Sequence, residues 1–239
     1  MSRAGTEKEL QALVRELSRR AGAFRPAPPA AHVYNPLDYA RAPIEEYLRR
    51  FGGKRGRVLL VGMNPGPWGM AQTGIPFGDV EAVRDWMGIT AAVARPDGEH
   101  PRVPVMGFDC HRREGSGKRL WGWAAERGTA EQFFADCFVW NYCPLCFLDD
   151  GGANLVPEKL RPADREALTA MCDPVLRRVI DILAPRAAVG IGAFAESRLR
   201  DVAPDGLPIF RLLHPSPANP LANQNWSGEA DKLFASLPR

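Results

Sequence analysis

The stretch Arg57-Val58-Leu59-Leu60-Val61-Gly62-Met63-Asn64-Pro65-Gly66-Pro67-Trp68-Gly69-Met70 decides how this chain is read. Residues 57–61 make a short continuous run between Gly56 and Gly62, the pattern of a strand buried on both faces of a parallel sheet. The next nine residues hold three glycines and two prolines, which can extend neither a strand nor a helix. They predict a rigid loop at the C-terminal end of the strand, the edge on which open α/β sheets hold their ligands.

Working outward, residues 137–141, 187–191 and 209–213 are further strand-like runs. Helices are expected over 7–20, 43–51 (stopped by Gly52-Gly53), 79–87, 118–127 and 163–183, the last with a bend at Asp173-Pro174. Another helix opens at Gly192, and a closing one covers 228–237. Residues 91–117 read as loop-rich. Strands alternating with helices imply an α/β fold with a parallel sheet. The Pro/Ala-rich residues 24–31 read as an extended tether. Residues 1–31 are therefore expected as a helix plus tether, and 32–239 as a single domain.

With 239 residues the chain is long enough to bury a full core. No apolar run approaches the roughly 18 residues of a membrane span. Residues 1–9 carry early acidic residues and no apolar centre, so they do not read as a signal peptide, and the cytoplasm is the expected compartment. The net charge of +3 permits nucleic-acid binding without indicating it. Two basic clusters stand out: Arg49, Arg50, Lys54, Arg55 and Arg57, then His111, Arg112, Arg113, Lys118 and Arg119. Taken singly, each reads as a solvated face. Five cysteines, an odd number, argue against a disulfide framework. Cys143-Pro144-Leu145-Cys146 has metal-ligand spacing but lacks a second pair, so buried thiols are expected and no metal.

Three predicted strands end in a polar residue on an unusual loop: Asn64, Asn141 and His214. In a parallel sheet these ends share one side, so the three side chains are expected in one cleft. Two amides and an imidazole make a poor metal site and a poor nucleophile set. Ser216 lies on no nucleophile elbow, and no Gly-Lys-Ser/Thr follows the loop. Such a trio suits hydrogen bonding to a planar polar ring and holding a water. Phe77, in Gly74-Ile75-Pro76-Phe77-Gly78, is expected as a rigid exposed aromatic for stacking on a base. Trp68 and Trp140 read as packing residues.

Residues 62–78 and 214–226 resemble the two signature motifs of the single-strand-selective monofunctional uracil-DNA glycosylases, within the uracil-DNA glycosylase superfamily. Phe138-Val139-Trp140-Asn141-Tyr142-Cys143-Pro144-Leu145 is similar to the family's pyrimidine-reading strand. The resemblance runs from about residue 57 to 226. It implies a three-layer αβα fold around a mainly parallel four-stranded sheet. It also implies hydrolysis of the glycosidic bond of uracil in DNA, as in base excision repair, after base flipping. Asn64 would position the attacking water and His214 would donate to uracil O2. Asn141 would read the uracil edge, Phe77 would stack on the base, and Met63 and Gly66 would line the pocket. Gly66 would sit beside C5, which extends the expected substrates to 5-hydroxymethyluracil.

Pro215, Ser216, Pro217, Ala218 and Asn219 would contact DNA. Here the chain departs from its relatives, which often carry Arg where Ala218 stands. Asn219 or Leu221 is then the candidate wedge, and a single-strand preference is the other outcome. Arg211 and Lys232 are candidate phosphate contacts. No lysine lies in either motif, so lyase chemistry is not expected. A monomer acting on DNA without a cofactor is the resulting expectation. The competing readings are a glycosylase for xanthine or hypoxanthine, a non-catalytic nucleic-acid-binding protein that keeps the pocket, and an iron–sulfur protein.

Overall fold

The computed structural model describes residues 2–238. Its first half runs through α1 (Arg3–Gly22), β1 (His32–Tyr34), α2 (Pro36–Tyr39), α3 (Arg41–Tyr47), β2 (Val58–Gly62), α4 (Met70–Thr73) and α5 (Gly115–Ala125). The second half adds α6 (Ala130–Asp136), β3 (Cys137–Asn141), β4 (Cys146–Leu148), β5 (Asn154–Leu155), α7 (Pro162–Leu183), β6 (Ala187–Ile191), α8 (Ala193–Val202), β7 (Ile209–Leu212) and α9 (Ala222–Ser236).

The central sheet has the order β3-β2-β6-β7 and every neighbouring pair is parallel. Every residue of β2, β3 and β6 is buried, which is why they read as continuous apolar runs. From β2 the chain passes to β3 on one side and later returns to β6 on the other. The C-terminal end of β2 is thus the point where strand order reverses, and a crevice opens there. Gly62 pairs with Asn141 across β2 and β3, which sets the two motif loops side by side.

A second sheet, β1-β4-β5, is antiparallel and was not foreseen. Its strands are two or three residues long, too short to show an alternating pattern. Helix α6 was also missed; a Thr129–Gln132 capping box starts it. The helix expected over 79–87 is in part a wide turn, Ala82–Trp86. No helix of the described residues is long and apolar enough to cross a membrane.

The N-terminal segment differs most from expectation. Leu10, Leu13, Val14, Leu17 and Ala21 of α1 lie in the same core as the central strands. The Pro/Ala-rich residues after it run against the body of the protein. Ala27 N–H donates to Asp164, Arg161 donates to the Pro28 carbonyl, and Ala31 N–H donates to the Leu148 carbonyl. No break in packing falls at residue 31. Helix α7 continues through Pro174, whose missing N–H frees the Ala170 carbonyl. Arg20 of α1 donates to that carbonyl at 3.5 Å.

Candidate active site

At the C-terminal edge of the central sheet a cavity of about 330 Å³ is lined by Met63, Asn64, Gly66, Phe77, Asn141, His214 and Ser216, together with residues not foreseen. Among the latter are Met70, Glu114, Ser116 and Asn154. The three strand-end side chains therefore do converge.

Each side chain is held in a way that leaves one polar atom available. The Asn64 Nδ2 donates to the carbonyls of Pro65 and Leu145 at 3.2 and 3.4 Å, which leaves Oδ1 as the acceptor. Asn141 is 6% exposed, and its Nδ2 reaches the Met70 sulfur at 3.3 Å. Its Oδ1 is buried with no hydrogen-bond partner in the protein. A buried orphan acceptor costs about 1–3 kcal/mol, so it marks a place where a donor is wanted. On His214, Nδ1 accepts the backbone N–H of Ser216 at 3.2 Å. The ring proton is thereby on Nε2. Burial holds the imidazole pKa below its ordinary value, so the ring is neutral at pH 7.

Phe77 was expected as an exposed aromatic; it is buried, 8% exposed, with its ring 6.1 Å from that of His214. The correction follows from its backbone. Phe77 has φ = 53°, the left-handed region that a bulky residue rarely adopts. Its carbonyl accepts from Trp121 Nε1 at 2.8 Å and from Asp79 N at 2.7 Å. These bonds turn the ring inward over the floor of the pocket. Gly62 makes that floor possible, because a Cβ there would overlap the Phe77 ring and the Asn141 amide. Such over-determined strain is typical of ligand sites.

Glu114 is the residue sequence reading missed. It precedes α5 and accepts the N–H groups of Ser116, at 3.1 Å, and Gly117. Burial raises its carboxyl pKa, while those two N–H groups act against the shift. Asp79, fully buried, anchors it: Asp79 takes the Arg113 guanidinium at 2.7–3.1 Å and the Glu114 N–H at 3.0 Å. The signal in the sequence was a carboxylate followed by Gly-Ser-Gly, the start of a helix.

The loop after His214 is arranged differently. Pro215 is buried and Ser216 faces the cavity, whereas Pro217 and Ala218 are exposed and line none of it. Asn219 is engaged within the loop: its Nδ2 donates to the His214 carbonyl and its Oδ1 accepts from Leu221 N–H. Leu221, 60% exposed, is the large apolar side chain left outside among the described residues. Arg211 and Lys232 pair with Glu196 and Glu229. All five cysteines are buried free thiols; Cys143 Sγ is engaged by the backbone of Leu145, and burial pushes Cys137 up to about 12.

Comparison with known proteins agrees with this geometry. Residues 50–236 match the model of the uracil DNA glycosylase superfamily. The single-strand selective monofunctional uracil-DNA glycosylase of Rattus norvegicus is 46% identical over 213 residues, covering 87% of this chain and 77% of that one. The Bos taurus protein of the same description is 45% identical over 209 residues, covering 86% and 77%. The crystal structure of wild-type SMUG2 of Pedobacter heparinus superposes with a TM-score of 0.67 at 18% identity, over 94% of this chain and 96% of that one, a likeness of fold. The chain belongs to the uracil-DNA glycosylase superfamily, and within it to the single-strand-selective monofunctional uracil-DNA glycosylases.

Proposed function

We propose that the protein is a monofunctional glycosylase that hydrolyses the bond between uracil and deoxyribose in DNA. The observation that carries this is the convergence in one cavity of three complementary polar atoms: the orphan Asn141 Oδ1, the Nε2–H of neutral His214 and the acceptor Oδ1 of Asn64. Asn141 Oδ1 accepts the uracil N3–H while its Nδ2 donates to O4. The Met70 sulfur beside Nδ2 favours this orientation over the reverse one, which would match cytosine. His214 donates to O2, where negative charge gathers as the base departs. A preorganised donor at such a position is typically worth about 2.7–4 kcal/mol.

Asn64 holds the water that captures the sugar cation. An amide orients water but is too weak a base to deprotonate it, so departure of the base leads and water attack follows. Phe77 stacks on the flipped base. Gly66 leaves room beside C5, which supports 5-hydroxymethyluracil as a second substrate. The cavity has no lysine in its lining, which supports hydrolysis without strand cleavage. With Ala218 small and Asn219 engaged, Leu221 is the side chain available to fill the gap left in a duplex. The relatives' description and this single apolar contact together support a preference for single strands.

The test is a uracil-containing oligonucleotide, single-stranded and paired, incubated with protein and treated with alkali. Scission at the uracil is expected, faster on the single strand. Asn64→Ala should lose about 10²–10³-fold in rate. No scission by the wild type would sink the proposal; full activity of the variant would remove Asn64 from its role.

A further inference from the structure

A second cavity, of about 410 Å³, has its walls in the end of β3, in α7 and in the start of α8. It stands back to back with the first. Asn141 lines the first cavity and Tyr142, the next residue, lines the second; Val156 lines the first and Pro157 the second. A methyl group built on Gly192 would come to rest 3.4 Å from His214 Cβ, and the residue after it, Ala193, lines the second cavity. Successive Cα atoms are about 3.8 Å apart, so at these places one stretch of chain borders both spaces.

The lining suits one kind of guest. Leu168 and Tyr142 are its buried apolar part. Phe194 stands half-buried in the first turn of α8, its ring edge-on to that of Tyr142 with centres 5.5 Å apart. The Tyr142 hydroxyl donates to Asp173 at 2.7 Å, and Arg198 holds Asp173 at 3.2 Å, so the wall behind Phe194 is fixed. The exposed residues Arg165 and Glu158 bring charges of both signs to the lining. A plain anion would meet Glu158, and a plain apolar ligand would desolvate both charges for no return. A flat ring with donors and acceptors on its edge and a phosphate attached satisfies the whole set.

We propose that this cavity takes the base of a nucleotide next to the target uracil in single-stranded DNA, stacked on Phe194, with a phosphate at Arg165. The proposal rests on the reading that uracil binds among Asn64, Asn141 and His214. In a duplex the neighbouring base is already stacked and paired, and it gives up both to enter. In a single strand it is free to turn in. Stacking a base on an aromatic side chain strengthens binding roughly 10- to 100-fold and does not depend on which base it is. That gain goes to single strands alone, so the preference for them has a source besides the lone apolar contact of Leu221.

The experiment uses single-stranded oligonucleotides with one uracil and a tetrahydrofuran spacer, which has a phosphate but no base, as its 5′ or its 3′ neighbour. Wild type, Phe194→Ala, Phe194→Leu and Arg165→Ala are run side by side. On one of the two sides the spacer should cost the wild type about tenfold in kcat/KM. The loss should fall on KM, because the neighbouring base is held equally before and during bond cleavage. In Phe194→Ala the same spacer should cost less than twofold, and the ratio of single-strand to duplex rates should fall about tenfold. Phe194→Leu keeps apolar bulk against Tyr142 and loses the aromatic ring, so the test stands even if the alanine variant folds poorly. Its spacer effect should shrink to about threefold. Arg165→Ala should make the salt dependence of single-strand binding shallower by about 0.7 in log–log slope; an unchanged slope overturns the phosphate half of the proposal. Spacers that cost the wild type less than twofold on both sides would overturn the rest, as would Phe194 variants that keep the full wild-type loss. Either result leaves the glycosylase reading intact. Failure to cut uracil at all sinks that reading, and this proposal with it.

Discussion

Two basic clusters of similar composition, residues 49–57 and 111–119, do opposite things in the folded protein. The first lies before β2, at the end of the sheet away from the cavity, and its Arg57 is turned inward while Arg49 and Lys54 stay exposed. Arg57 is 3% exposed and donates to the carbonyls of Phe51, Phe134 and Cys137, with its guanidinium 5.0 Å from the Phe138 ring centre. Burial pulls its pKa down to about 10. Lys54 donates to the Ala135 carbonyl and Arg50 to Glu131. The second cluster flanks in sequence Glu114 and Ser116, which line the cavity. Arg113 clamps Asp79, Arg119 donates to Asn223 in the first turn of α9, and Arg112 lies over the Trp68 ring at 3.9 Å. The first departs from a solvated face chiefly at Arg57, whereas His111, Arg112, Arg113 and Lys118 are exposed as expected. The lesson is positional: a cationic run before a parallel strand can meet carbonyls that lack partners, and one beside the cavity wall stays largely at the surface.

The comparison can be broken by three substitutions. Arg57→Ala should have the largest effect, because three buried carbonyls lose their donor. A loss of about 2–3 kcal/mol in stability is expected, read as a lower midpoint in denaturant, with the uracil excision rate per folded molecule within twofold of wild type. A large loss of specific activity would show that the first cluster also serves the site. Arg113→Ala should come next. It strips the buried Asp79 of its counter-ion and loosens the segment that carries Glu114, so excision of uracil should fall about tenfold, or roughly 1.4 kcal/mol, with a smaller change in stability. If stability falls and activity does not, the clamp belongs with the first cluster. Arg112→Ala should be the mildest: unchanged stability, and a salt dependence of single-strand binding shallower by about 0.7 in log–log slope if the guanidinium meets a phosphate. An identical slope would assign Arg112 to packing on Trp68.

The strands that place the site were legible because they are buried on both faces, and burial on both faces writes itself as an uninterrupted apolar run. Asn64, Asn141 and His214 were legible for a related reason: each follows such a run, and the parallel arrangement sends all three to one edge. Residues set by backbone geometry were harder. Phe77 looked exposed because its neighbours are Pro and Gly, and the positive φ that turns it inward has no signature in a phenylalanine. Glu114 was hidden among charges that read as surface, since its burial depends on Gly66 and Gly69 approaching from fifty residues away. The second sheet was invisible because two- and three-residue strands are too short to have a period. The tether at 24–31 was misread because a proline-rich stretch packed on a surface looks the same in sequence as a free one.

The contact between α1 and α7 has a consequence in time. The apolar stripe of α1 packs on α2 and residues 48–52, close by in sequence, and also on α7, which begins only at Pro162. The Arg20 contact with the Ala170 carbonyl and the 2.7 Å Arg178–Glu16 pair close that gap across 150 and 162 residues of chain. At synthesis rates of about 5–20 residues per second, α7 follows α1 by roughly 8–30 seconds. During that interval α1 has only its near neighbours, α2 and residues 48–52, to pack on. The seam between α1 and α7 is therefore the part of this packing that closes late, after α1 has met its near neighbours.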